Sequence, residues 1–271
     1  MNLIQHLENE PHVGRAKTIL VSAEGPAVIT TIIATAIEYN DLQKLSFTGS
    51  VVFSDSAKHH IEEIILPHIE SITEPLGVFQ NAYEISVVNV GAISSSDVGF
   101  PINGYSADIS IFMALLSAAL KLPIEQNILF TGHIASKEGD ITQVKNLEVK
   151  SQAAITDESI STFIYPSLDG DVSMKTLKPK MYENLKAAIR SCRGKIKLLE
   201  VNNTFEVVEK SIKEEAIVLS SLNHDFFDKE IPKSQNKNHE LISKYFLEKN
   251  KKRFWIALEF NILNKNVSFN P

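Results

Sequence analysis

Gly104-Tyr105-Ser106-Ala107-Asp108-Ile109-Ser110-Ile111-Phe112-Met113-Ala114-Leu115-Leu116-Ser117-Ala118-Ala119-Leu120-Lys121 opens in a glycine-containing turn and then runs apolar around its whole circumference. The sequence predicts a helix over Ser106–Lys121. A surface helix keeps one polar face, but between Ile109 and Leu120 the only polar residues are Ser110 and Ser117. Such a helix must be covered on most sides. It is too short to cross a bilayer, which takes about 20 apolar residues, so it reads as the core of a layered domain.

The flanks supply the layers. On the amino-terminal side Thr18–Ser22, Ala27–Ile37 and Leu45–Val52 read as strands, because Val28-Ile29-Thr30-Thr31-Ile32-Ile33 is too β-branched for a comfortable helix. Gly25-Pro26 is a turn, and Asn40-Asp41 separates the second strand from the third. After Phe53 the period changes. Ser54, Asp55 and Ser56 offer N-caps, and Ile61, Ile64, Ile65, His68 and Ile69 recur at helical spacing, with Pro67 expected to kink or shorten the helix. Tyr83–Val90 reads as a strand, followed by a Ser- and Gly-rich loop, Gly91–Gly104, long enough to be functional.

On the carboxyl-terminal side Pro123 closes the connection from the central helix. Ile128–Thr131 and Ile141–Val144 are expected as short strands around a turn at Glu138-Gly139-Asp140. Leu147–Ile155 reads as a helix, Thr162–Tyr165 as a buried strand closed by Pro166, Met181–Arg190 as a helix and Ile196–Val201 as a strand. Thr204–Glu215 is an amphipathic helix with Phe205, Val208 and Ile212 on one face. The alternation predicts an α/β or α+β layered domain over residues 13–215, with a leading segment 1–12 and a C-terminal extension 216–271. In that extension Pro232–Asn238 reads as a linker, His239–Asn250 as a short helix, and Phe254–Phe260 as an apolar segment around the single tryptophan, Trp255.

Composition narrows the class. Of the 271 residues 44% are apolar and 22% charged, an ordinary globular balance that needs no metal or disulfide staple. Cys192 is the only cysteine, which leaves out the disulfide-rich secreted class. No secretory leader and no membrane span is read in the sequence, so the expected location is the cytoplasm. The net charge of −6 argues against nucleic acid as a partner. Leu222–Pro271 carries nine Lys and Arg against six Asp and Glu, which reads as a solvated surface. There is no G-x-x-x-x-G-K-[ST] phosphate loop and no H-x-x-x-H or C-x-x-C spacing, so neither a nucleotide nor a metal is expected as a cofactor.

Chemistry concentrates at Ser106. A serine placed after a glycine-containing loop, where a buried helix begins, has an exposed hydroxyl beside unclaimed backbone N–H donors, and those donors suit an oxyanion. The same position also fits a plain N-cap. A serine nucleophile needs a base. His59-His60 reads as a partly exposed helical pair rather than as ligands, and His6, His12, His224 and His239 lie near the ends. A lysine can serve if burial keeps it neutral. Lys150 sits among Leu147, Ala153 and Ala154, where a surface lysine is the plainer reading.

Four stretches in order decide between these readings. Gly104-Tyr105-Ser106-Ala107, Thr131-Gly132-His133-Ile134 and Leu147-Glu148-Val149-Lys150-Ser151-Gln152-Ala153-Ala154, preceded by Leu45-Ser46-Phe47-Thr48-Gly49-Ser50, resemble the proteolytic domain of the Lon protease family. That family shows P-K-D-G-P-S-A-G, T-G-E-I, L-K-E-K-x-x-A-A and L-x-x-T-G-S at these places. Thr162–Pro166 resembles its V-L-I-P strand, and Lys195–Ile212 its closing strand and helix. The resemblance implies an α+β fold of mixed sheets and packed helices, and a Ser106–Lys150 dyad, 44 residues apart. It further implies that Thr131 orients the lysine and that the backbone around Gly104, Ser106 and Ala107 holds the oxyanion, with His133 beside the dyad. The implied activity is endopeptidase cleavage of unfolded or flexible polypeptide, in a homo-oligomer and commonly a hexameric ring. Family members carry an ATPase motor; the 271 residues encode none, so ATP-independent action, or a separate ATPase or adaptor, is expected. A catalytically idle assembly or peptide-binding module is the alternative.

The departures from the family pattern are specific. Tyr105 replaces proline, Asn103 aspartate, Asp108 glycine and His133 glutamate, and Lys145-Asn146 replaces Gly-Gly. Asp108 is expected to point outward, since an inward carboxylate would oppose an oxyanion. His133 is expected to be a surface replacement.

Overall fold

A seven-stranded mixed sheet organises the chain, its strands lying in the order Lys197–Val201, Thr162–Pro166, Ile128–Phe130, Arg15–Val21, Ala27–Ile37, Ala82–Val88 and Leu45–Thr48. The computed structural model describes residues 10–21, 27–37, 44–49, 52–76, 78, 82–88, 101–102, 104–168, 176, 179–192, 194–213, 217, 251–252 and 254–255. In chain order the strands and helices are β1 (His12–Val13), β2 (Arg15–Val21), β3 (Ala27–Ile37), β4 (Leu45–Thr48), β5 (Val52–Phe53), α1 (Asp55–His60), α2 (Leu66–Thr73), β6 (Ala82–Val88) and β7 (Pro101–Ile102). They continue with α3 (Asp108–Leu120), β8 (Pro123–Ile124), β9 (Ile128–Phe130), β10 (His133–Ile134), β11 (Ile141–Thr142), α4 (Leu147–Thr156), β12 (Thr162–Pro166), α5 (Pro179–Ser191), β13 (Lys197–Val201) and α6 (Thr204–Ser211).

Period-2 alternation sends successive side chains to opposite faces of the sheet, and both faces are covered at its centre. Along β2, Ala16 and Leu20 join the core around α3, while Ile19 joins a second core with Leu147, Phe163 and Tyr182. In β9 Phe130 faces the first core and Leu129 the second; in β12 Ile164 faces the first, Phe163 and Tyr165 the second. Helices α1–α3 and α6 therefore lie on one face, and α4 and α5 on the other. Strands β2, β9, β12 and β13 run parallel to one another, whereas β3 is antiparallel to β2 and β6.

All thirteen residues of α3 are buried, as its composition requires. Its two serines are satisfied: Ser117 accepts from the Gly14 amide at 2.7 Å and donates to the Leu122 carbonyl, and Ser110 donates toward the Lys17 and Phe130 carbonyls at 3.3 and 3.4 Å. The helix begins at Asp108, so Ser106 lies in the turn before it rather than inside the helix as expected.

Two local expectations are corrected. Pro67 does not shorten its helix. Helical structure continues from Asp55 to Thr73 through a π turn, Ile61–Ile65, in which the Leu66 amide reaches back to the Ile61 carbonyl. The widened turn sits directly before the proline, whose ring cannot donate and crowds the preceding turn. Ile128–Thr131 and Ile141–Val144 do not pair with each other either. β9 joins the large sheet beside β12 and β2, and the short partner of β11 is β10.

The loop expected over Gly91–Gly104 lies outside the described residues except for β7, which pairs with β5, and Gly104. The linker 232–238 and the helix 239–250 lie outside them entirely. Ile217 and Phe254, from the expected extension, are buried in the same core as α3. Trp255 meets Phe205 edge-on at 5.8 Å.

Candidate active site

Three chain segments meet at the carboxyl end of β9, where open αβ sheets place their ligands. The first is the turn before α3. The Asp108 amide donates to the Tyr105 carbonyl at 3.2 Å, and Ile111 closes the first helical turn on the Ala107 carbonyl at 2.9 Å. The second is Thr131-Gly132, which leaves β9. The Thr131 amide donates to the Ile164 carbonyl of β12 at 3.0 Å, the Gly132 amide to the Ser106 carbonyl at 3.1 Å, and the Gly132 carbonyl accepts from Ile109 at 3.4 Å. The turn carrying Ser106 is thus strapped to the end of β9 by backbone bonds on both sides. Among the described residues, the Ser106 and Ala107 amides donate to no partner.

The third segment is α4, which arrives from the opposite face of the sheet. It starts at Asn146, held in the left-handed region at φ 58° and ψ 34°, and its first bond runs from the Lys150 amide to the Asn146 carbonyl at 3.0 Å. Asparagine is one of the few side-chain-bearing residues that tolerate this conformation. It fills the place of the second glycine in the Gly-Gly pattern, so the departure at Lys145-Asn146 leaves the helix start intact.

Lys150 is 2% exposed. Burial lowers its pKa from 10.5 to about 7, so near neutral pH a large share of the amine is free base. Its Nζ donates to the Thr131 hydroxyl at 2.9 Å, and that hydroxyl donates to the Ser106 carbonyl at 3.1 Å. Thr131, fully buried, therefore links the lysine to the serine's own backbone. Ser106 and Lys150 line one cleft of about 390 Å³ together with Gly104, Tyr105, His133 and Gln143. No hydrogen bond joins the Ser106 hydroxyl to the Lys150 amine.

The surroundings differ from expectation. Asp108 points inward and is 2% exposed. Its Oδ2 accepts from His133 Nδ1 at 2.7 Å, His60 Nε2 at 3.0 Å and the Ile134 amide at 3.1 Å. The carboxylate is drawn toward these three donors. His133 is not a free surface replacement but one of those partners, with its side chain 25% exposed. The adjacent pair splits, His59 exposed and His60 turned in. Tyr105 packs against both rings, at 4.4 Å from His60 and 4.9 Å from His133. Gly104 stands in open space, where a Cβ would meet nothing within 4 Å, while Ala107 is buried.

Sequence reasoning missed His60, whose partners lie 48 and 73 positions away in the chain, on α3 and β10. It also missed Gln143, whose Nε2 is bonded to the Ser167 carbonyl at 2.6 Å while its buried Oε1 has no partner among the described residues. The one available signal was that two departures from the family pattern, Asp108 and His133, are complementary to each other.

The mixed sheet with its packed helices is the fold of a Lon-type proteolytic domain. The family model for the Lon protease (S16) C-terminal proteolytic domain matches residues 3–213, and the chain belongs to this family of serine peptidases. No curated protein matches the chain. Among the described residues no helix is long and apolar enough to cross a membrane.

Proposed function

We propose that the chain is an ATP-independent serine endopeptidase that cleaves unfolded or flexible polypeptide with Ser106 as nucleophile and Lys150 as general base. The observation that carries this reading is the Thr131 hydroxyl, which ties the Lys150 amine to the backbone of Ser106, a residue that lines the same cleft as the lysine.

In the neutral form Lys150 Nζ donates to Thr131 and keeps its lone pair for the Ser106 hydroxyl proton. Ser106 Oγ then attacks the scissile carbonyl while the proton passes to Nζ. The carbonyl oxygen becomes an oxyanion that the Ser106 and Ala107 amides stabilise. Collapse breaks the C–N bond, the ammonium returns its proton to the leaving amine, and an acyl-serine remains. Water, deprotonated by the regenerated amine, releases the acid. Apo serine–base contacts are commonly loose and tighten in the substrate complex. Action in a homo-oligomeric ring, with a separate ATPase or adaptor feeding folded substrates, belongs to the same proposal; light scattering on the purified chain reads the ring directly.

Unstructured fluorescent casein is the test substrate. Ser106→Ala and Lys150→Ala are each expected to lower cleavage at least 1,000-fold with the fold unchanged by circular dichroism. The wild-type rate should climb as pH passes upward through about 7, because only the free base accepts a proton. Undiminished turnover in either variant overturns the dyad. The unbonded Ser106 hydroxyl favours a second reading, an idle peptide-binding module. That reading predicts no labelling of Ser106 by a fluorophosphonate, whereas labelling lost in Lys150→Ala rejects it.

A further inference from the structure

Two imidazoles and a carboxylate converge where the protease chemistry has no need of them. His60 Nε2, His133 Nδ1 and a carboxylate oxygen of Asp108 all lie within 4.8 Å of one another, and both nitrogens touch the same oxygen, Oδ2. Each comes from a different element: the last residue of α1, the first residue of α3, and β10. We propose that His60, Asp108 and His133 form a binding site for a divalent transition-metal ion of the zinc class, beside the Ser106 turn.

The donor set carries the choice of metal. Two imidazole nitrogens and one carboxylate suit zinc and its neighbours and disfavour calcium and magnesium, which take oxygen. Metal–ligand bonds of about 2.0–2.2 Å place tetrahedral donors about 3.3 Å apart, close to the 3.0 and 2.7 Å that separate the Asp108 oxygen from the His60 and His133 nitrogens. Three protein ligands leave a fourth position for water or for a group in the cleft that His133 lines with Ser106. The apo bonds are no obstacle. An imidazole that donates to Asp108 can move that proton to its other ring nitrogen, which frees a lone pair aimed at the same point.

The site is built rather than accidental. Asp108 is 2% exposed and opens a helix buried along its whole length. The Ile134 amide, at 3.1 Å, fixes the carboxylate from outside the trio, as the outer partners of metal ligands do. Tyr105 roofs both imidazoles. His60 sits at the join of α1 and the π turn, a kind of irregularity often found at functional sites. An ion held here would pin the Ser106 turn to α1, because Asp108 is only two residues from Ser106.

This inference stands apart from the dyad, and its test reads metal, not proteolysis. Full-length protein, stripped with a chelator and dialysed against Zn²⁺ or Co²⁺ alone, should retain one ion per chain and gain thermal stability. Co²⁺ should give a visible absorption band. His60→Gln and His133→Gln should each weaken binding about 100-fold, while His59→Gln, at the exposed neighbour, should leave it unchanged. The X-ray absorption edge of zinc-loaded wild type should show imidazole and oxygen donors, which tests the site even if a variant fails to fold. No uptake, uptake indifferent to His60 and His133, uptake lost with His59, or a ligand shell without imidazole overturns the site.

Discussion

Lys150 is the residue whose environment most changes its chemistry. Its pKa is about 7 in the fold and near 10.5 in the unfolded chain, so between those values the unfolded state binds the extra proton. The contribution of Lys150 to stability therefore rises with pH across that window, by up to about 1.4 kcal/mol per pH unit. Below pH 7 both states are protonated and the burial cost is at its full size. Lys150→Met is accordingly expected to stabilise the protein most at pH 6, with the gain shrinking toward pH 10; urea unfolding at pH 6 and pH 9 reads the difference. Asn146, at φ 58°, makes the complementary case. Asn146→Gly should hold or raise stability, whereas Asn146→Val should cost about 1–2 kcal/mol, since a β-branched residue resists the left-handed region. Both are measured by thermal denaturation.

Among the elements, the join between β9 and α3 governs the site. A Cβ at Gly132 would stand 2.3 Å from Ile109 Cδ1 and 3.2 Å from Pro166 Cγ, both in the packed interior. Gly132→Ala should cost about 1–3 kcal/mol and lower casein cleavage more than Gly104→Ala, which meets open space. The elements themselves were largely legible. β-branched runs marked β2 and β3, and the seamless apolar stretch marked α3, because those patterns report burial directly. The partner of β11 was not legible, since two-residue strands carry no periodicity. The Ser106-Thr131-Lys150 chain could be read through motif order. The His60-Asp108-His133 trio could not, because its members are separated by 48 and 25 positions and only tertiary packing brings them together.

For the molecule as a whole, the two cores share one sheet, and the larger one extends beyond the matched family region. Phe254, 5% exposed, and Ile217, 3% exposed, are packed with α3 although residues 3–213 comprise the family match. Phe254→Ala should thus lower unfolding free energy by about 3 kcal/mol, measured by chemical denaturation, rather than behave as a change in a loose tail. The same layered plan explains why Ser106 and Lys150 line one cleft: α3 approaches β9 from one face and α4 leaves by the other, so the two helix starts converge at a single strand end.

That convergence has a consequence for the life of the protein. β9 is flanked by β2, more than a hundred positions upstream, and by β12, thirty-odd positions downstream, and Thr131 rests on the carbonyl of Ile164. Pairings so distant in the chain close slowly, and none can close before both partners have been synthesised. A nascent chain still tethered to its ribosome short of Ile164 thus lacks β12 and the carbonyl on which Thr131 rests. The end of β9 that carries Thr131 is therefore flanked on both sides only once Thr162–Pro166 has been made.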